Sequence, residues 1–404
     1  MTAGRPEPRR PGRGSVRLSA LAVGVLAATL VFAWQVVRVR YTYAGNWSAL
    51  FCTGSDYPIP PELEREQLHR FPDAVGFDGQ VYHYIAHDPI YPFRFQGWVD
   101  DPGLRYRRIL VPLLAFLAAG GVSDRIDVAY RTLLIGWIFL GAYWIARYAS
   151  LCGRRPAWGL AFLLVPTVLL SAERMTVDVA LAAVCAGVAV QARRGAPVAL
   201  CLLLVAAGLI RETGLLLVLA ASLHALWTHK RREAALFASA ALPTLAWFGF
   251  LATRMPTRRY PLALWPFSGL VRAFLEPQAY PNGDTDWLSR HWQDACQATD
   301  RLALLGIAFA VVLALRGLRA RGPGILSLAA VLFSVQAALH NAPADVWQAI
   351  DNFGRVYSPL LLVVALDALR LEQWKGLAPP LLLWPRLALG LLGALRAVRH
   401  GLLG

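Results

Sequence analysis

Apolar residues along the chain come in blocks of roughly 15–20 positions with almost no charge, recurring from Leu18 to the C-terminus. A helix needs about 20 apolar residues to cross a bilayer core, so this pattern predicts a bundle of spanning helices. The blocks fall at 18–37, 127–147, 157–171, 177–191, 196–210, 214–227, 234–252, 301–315, 322–340, 356–370 and 381–395. They predict an all-α integral membrane protein with about 11 (10–12) transmembrane helices. A further block at 109–121 is short, holds Pro112 and ends in Gly120–Gly121. It predicts a re-entrant or tilted helix rather than a full span. Two long polar stretches, 38–108 and 253–300, interrupt the series, and the first is expected to be partly helical.

Charge gives the blocks a direction. Basic clusters at Arg147 to Arg155, Arg193–Arg194, His229 to Arg232 and Arg316 to Arg321 separate alternate blocks. Such clusters mark cytoplasmic loops, which places the two long polar stretches outside. Residues 1–17, with five Arg, are expected to be a disordered cytoplasmic tail, and 18–404 a single polytopic domain. The first block is long for a signal peptide, and Ala33-Trp34-Gln35 is a poor cleavage site.

Composition agrees: 57% of the 404 residues are apolar and only 16% charged, against about 25% charged in soluble domains. This excludes a soluble enzyme, a disordered chain and a nucleic-acid-binding domain. The net charge of +15 reads as topology signals, not as a phosphate-backbone surface. Cys52 and Cys296 both fall in the outward stretches, where a disulfide between them is one expectation and two free thiols the other.

The remaining charges gather on the outward side. In Phe77-Asp78-Gly79-Gln80-Val81-Tyr82-His83-Tyr84-Ile85-Ala86-His87, helical spacing puts Asp78, Tyr82 and Ile85 near one face. A carboxylate beside aromatic rings suits a sugar site, with Asp78 as general base and Gln80, Tyr82 and Tyr84 as sugar or acceptor contacts. An interfacial helix with an aromatic belt fits the same residues. Arg105, Arg107 and Arg108 oppose the usual charge bias, which suits an anionic lipid group or pairing with Asp100 and Asp101. Arg174 and Asp178, and Asp351 and Arg355, are each four apart and suit simple ion pairs. Arg211–Glu212 interrupts an apolar run, and ionisable groups so close to hydrocarbon are usually functional or paired.

Phe77 to Pro89, together with Tyr106-Arg107-Arg108-Ile109-Leu110-Val111-Pro112, resembles bacterial multi-spanning proteins of cell-surface glycopolymer formation. These are related in pattern to GT-C class membrane glycosyltransferases. The Phe-Asp-Gly-Gln-x-Tyr-x-x-Ile-Ala portion is also similar to the first-loop Asp motif of GPI mannosyltransferase II-like enzymes. Ile210 to Gly214 and Asn352 to Leu360 fit the same group.

The resemblance implies a bacterial inner-membrane, GT-C-like enzyme with its N-terminus cytoplasmic and its active site outward. It would move a sugar from a polyprenyl-phosphate donor to a glycan or lipid acceptor, with inversion. It makes Asp78 the catalytic base and Arg211, Arg355, Arg105 and Arg108 the lipid-phosphate ligands. Glu212 and Asp178 would bind sugar or acceptor, or, for Glu212, orient Arg211. No cofactor is certain: no His/Asp array demands a metal, and a divalent ion, for which Asp100–Asp101 could serve, stays open. Two other functions compete. A lipid-linked-glycan flippase would need acids deep in the bilayer, for which Asp367 is the main candidate. A non-catalytic subunit of polysaccharide assembly would need only the loop surface.

Overall fold

The structure, a computed structural model, describes residues 13–258, 262–280, 287–340, 346–347 and 349–403. Almost all regular structure is helical. The described strands are two-residue segments, Thr53–Gly54 and Arg70–Phe71, paired in parallel in the first inter-helix segment.

Among the described residues, five helices are long and apolar enough to cross a membrane: Arg17–Thr42, Ser123–Leu151, Arg231–Ala252, Arg290–Arg321 and Trp374–Leu402. Two bent pairs raise the number to 7 if each pair is one span: Pro156–Leu164 with Pro166–Arg174, bent by 61°, and Ile350–Val356 with Ser358–Leu371, bent by 49°. Pro166 and Pro359 sit in the first turn of the second helix of each pair, where a missing N–H is tolerated. Pro197–Ile210, Glu212–Trp227 and Ile325–Leu339 are shorter apolar helices. By length and composition the described residues therefore hold five to seven candidate spanning helices, against about 11 apolar blocks in the sequence.

The helix Asp178–Arg194 is the bundle's centre. It is buried from Asp178 to Val190 and packs on Ser123–Leu151, Pro197–Ile210 and Ser358–Leu371. Small residues dominate it, which lets the neighbouring backbones come close.

Several boundaries differ from the sequence reading. Helix Arg13–Thr42 begins inside the expected tail and runs past residue 38; residues 1–12 lie outside the described residues. Helix Trp287–Arg321 takes up the end of the expected 253–300 loop. Its polar first turns have no hydropathy signature, so apolar patterning cannot reveal them. The 109–121 block forms a nine-residue helix, Leu110–Ala118. Cys52 and Cys296 are free thiols, and burial pushes the Cys52 thiol up to about 11.

Candidate functional site

One end of the bundle collects the ends of several helices around a ten-residue helix, Asp78–His87. Asp78 is its first residue, where a carboxylate meets the positive end of the helix dipole. Gly79 makes that seat. A Cβ there would run into the backbone carbonyls of Arg174 and Phe51, so only glycine lets this helix lie against both segments. The preceding loop is fastened by Gln80, whose Oε1 accepts from Gly54 N at 3.0 Å and whose Nε2 donates to Val75 O at 2.8 Å. The helix stops at Asp88–Pro89, where the Asp88 carboxylate accepts from Phe95 N at 2.7 Å.

Arg105 ends a short helix, Pro102–Arg105, capped by Asp101, which accepts from Leu104 N. Arg108 follows just before helix Leu110–Ala118. Arg211 lies at the break between helix Pro197–Ile210 and helix Leu215–Trp227. Its backbone is extended there (φ −157°), and the interruption turns its side chain toward Asp178. Arg355 comes from the last turn of helix Ile350–Val356.

These segments meet in one network. Arg355 Nη1 donates to Asp78 Oδ2 at 2.5 Å, and Arg105 Nη1 lies 2.8 Å from Asp78 Oδ1. Arg355 also reaches Asp178 at 3.5 Å, and Asp178 pairs with Arg211. Arg108 holds Glu212 in a two-pronged pair at 2.9 and 2.7 Å and donates to the Tyr82 hydroxyl at 2.8 Å. The other side of Arg105 takes Asp100, at 2.9 and 2.7 Å. Phe77 lies under two guanidinium groups, those of Arg174 at 4.4 Å and Arg355 at 5.0 Å.

The network is buried. Side-chain exposure is 4% for Asp178, 6% for Arg108 and Arg355, 8% for Arg211 and 14% for Asp78. Withdrawing such charges from water costs several kcal/mol each, and their attraction only partly repays it. Burial alone would raise the Asp78 pKa, but Arg105, Arg355 and Arg108 outweigh it and hold the carboxyl well below the usual carboxylate range. Asp78 is therefore an ionised hydrogen-bond acceptor and, while both guanidinium groups grip it, a weak base. Arg355 Nε is a buried donor without a hydrogen-bond acceptor among the described residues, and Arg211 Nε has only the Glu212 carboxylate, 3.8 Å away.

Of the residues singled out from sequence, Asp78, Tyr82, Arg105, Arg108, Asp178, Arg211, Glu212 and Arg355 come together. Gln80 and Tyr84 do not join them. Gln80 spends its amide on the loop, and the Tyr84 ring is buried against Leu63 and Phe95 in a separate small cluster. The short-range pairs are rearranged: Arg174 pairs with Asp351 at 2.5 Å, leaving Asp178 and Arg355 for the network. Asp367 lies near the end of its helix, paired with Arg321 and with Arg370 at 3.0 Å. It is not an unpartnered acid deep in a span.

Compared with known proteins, the chain matches no family model, no curated protein and no solved structure. Its chemistry therefore rests on these residues.

Two groupings of side chains go beyond the sequence reading. His340 and Tyr357, which flank the outward segment before the 356–370 block, meet Trp347 near Arg211. His340 Nδ1 lies 2.8 Å from the Tyr357 hydroxyl, and Trp347 stacks on Tyr357 at 4.5 Å. The second group is Glu66, His83, His87 and Asp127. The His-x-x-x-His spacing signals it in part, because residues i and i+4 share a helix face; Glu66 and Asp127 carry no such signal.

Proposed function

We propose that the chain is a membrane glycosyltransferase that uses a polyprenyl-phosphate-linked sugar at this site. The bundle would be a GT-C-like arrangement of about 11 spans, with the Asp78 end facing outward from a bacterial inner membrane. The observation that supports the reading is the convergence of Arg105 and Arg355 on Asp78 and of Arg211 on Asp178, with Arg355 Nε left without a hydrogen-bond acceptor among the described residues. Native buried donors are nearly always paired, and guanidinium groups match phosphate oxygens.

The ion pairs suggest how the site would work. A lipid phosphate would draw on Arg355, Arg211 and Arg105, displacing first Asp100, the most exposed partner at 37%. That loosens the grip on Asp78. Its pKa then rises toward the ordinary value, and the carboxylate becomes able to accept the proton of an acceptor hydroxyl. The hydroxyl oxygen attacks the anomeric carbon from the face opposite the phosphate, the glycosidic C–O bond breaks, and the lipid phosphate leaves on the Arg groups. Tyr82, Glu212 and Asp178 would orient sugar or acceptor hydroxyls.

The test is transfer by the purified protein in lipid nanodiscs, supplied with polyprenyl-phosphate-linked pentoses and hexoses and cell-envelope acceptor lipids. Transfer from at least one donor is expected. No transfer from any, by a folded preparation, overturns the reading.

A further inference from the structure

Glu66, His83, His87 and Asp127 present one ligand atom each within 4.8 Å of one another, apart from the network around Asp78. We propose that this cluster binds a divalent transition-metal ion of the zinc class, which fastens the first inter-helix segment to the bundle.

The spacing fits. Tetrahedral zinc with ligand bonds of about 2.0–2.1 Å holds its ligand atoms roughly 3.3–3.4 Å apart. Here His83 Nε2 and His87 Nε2 are 3.1 Å apart. His83 Nε2 is 3.8 Å from Glu66 Oε2, and His87 Nε2 is 3.9 Å from Asp127 Oδ1. The pair His83 Nε2 and Asp127 Oδ1, at 2.6 Å, is closer and would open by under 1 Å around an ion.

The donor set fits as well. Two imidazoles with two carboxylates suit first-row divalent metals and are softer than the all-oxygen sets of magnesium and calcium. With both imidazoles neutral, the group carries two negative charges, which a divalent ion cancels.

The surroundings orient the ligands. The Ser123 hydroxyl lies 2.9 Å from His87 Nδ1 and donates to Glu66 Oε1 at 2.7 Å. A hydrogen on Nδ1 bonded to Ser123 leaves Nε2 with its lone pair toward the cluster, the outer-shell pattern of metal-bound histidines. The His83 ring is fixed by stacking on Phe51, at 4.2 Å between centroids. Both imidazoles are buried, whereas Glu66 and Asp127 are partly exposed and leave a way in for the ion.

The position gives the metal its role. Glu66 ends the 3-10 segment Pro61–Glu66, His83 and His87 lie on helix Asp78–His87, and Asp127 is in the first turns of Ser123–Leu151. A ten-residue helix has little stability of its own. The ion would tie it to a long helix and so set where Asp78 sits, as a positioning device that touches no substrate. This holds whether or not the chain transfers sugar.

The experiment uses full-length protein without a polyhistidine tag, stripped with chelator in detergent and incubated with ZnCl2 or CoCl2. One zinc per chain after desalting, tetrahedral cobalt bands in the visible spectrum and a raised thermal midpoint with zinc are expected. His87→Gln and Glu66→Gln should each weaken binding by more than the about 10–100-fold typical of losing an outer-shell partner. Asp78→Asn should keep full stoichiometry, so loss of sugar transfer and loss of metal can be told apart. Circular dichroism checks that each variant folds. Absence of stoichiometric zinc and cobalt in folded wild-type protein overturns the proposal. So does unchanged zinc affinity in a folded His87→Gln/Asp127→Asn double variant.

Discussion

Asp78 and Arg355 stand 277 positions apart and are joined by a 2.5 Å charged hydrogen bond at the buried end of the bundle. The bond ties the first inter-helix segment to the bent pair Ile350–Val356 and Ser358–Leu371, so it reports on the assembled tertiary structure.

Removing Asp78 takes the closest acceptor from buried Arg355, leaving it only Asp178 at 3.5 Å, and leaves Arg105 only Asp100. Asp78→Ala should destabilise the detergent-solubilised protein by about 3–5 kcal/mol, read as a lower thermal midpoint. Adding Arg355→Met to that variant should recover part of the loss, with a coupling of about 0.5–3 kcal/mol. Strict additivity of the two substitutions would show that the contact contributes nothing specific.

The pH dependence follows from the lowered Asp78 pKa. Its unfolded value is about 3.9. A depressed folded value means the stabilisation is complete above the unfolded pKa and disappears as pH falls through the folded one. The stability gap between wild type and Asp78→Asn should therefore stay level from about pH 8 to 5 and narrow only below about pH 4. A gap that narrows between pH 7 and 5, followed by thermal unfolding across buffers, would contradict the ion-pair assignment.

How far the sequence foretold this site depends on the kind of information. Apolar blocks located most helices because burial in lipid demands them, but the bends ahead of Pro166 and Pro359 were not read from the sequence. Sidedness brought Asp78, Arg105, Arg108, Arg211 and Arg355 to one end. Pairing was not legible: Arg174 and Asp178 have helical spacing, yet Arg174 turns to Asp351 and Asp178 to Arg211. Side-chain direction across a bundle is set by packing, which one sequence does not display. For the same reason Tyr84, two residues from Tyr82, points into another cluster. The 3-10 and turn geometry that carries Glu66 to His83 and His87 left no periodic trace.

Gly79 offers a test of how the Asp78 helix is seated. Gly79→Ala places a methyl group against the Arg174 and Phe51 carbonyls. Overpacking of this kind costs about 1–3 kcal/mol, and it should lower both thermal stability and any activity without removing a charge. Gly45→Ala, where nothing lies within 4 Å, serves as a comparison in which only the positive φ of 84° is strained. If Gly79→Ala loses no more stability than Gly45→Ala, the close seat is not what positions Asp78.

Arg108 separates charge from geometry. Arg108→Lys keeps the charge but loses the fork that holds Glu212 and the bond to Tyr82. In the glycosyltransferase account it should raise KM for the lipid-linked donor more than it lowers kcat, because Glu212 would swing from its sugar-binding position. Tyr82→Phe should have the smaller effect, about 1.5–3 kcal/mol at most for a bond to a charged group. Steady-state kinetics with a fixed acceptor measure both.

The most direct measurement compares wild type and Asp78→Asn for sugar transfer from a polyprenyl-phosphate donor in nanodiscs, with binding of the same donor measured in parallel. The account predicts that the variant still binds donor but transfers about 10²–10⁴-fold more slowly, the usual loss of a general base. Equal transfer rates in two folded preparations would contradict it and leave the Asp78–Arg355 pair a structural tie.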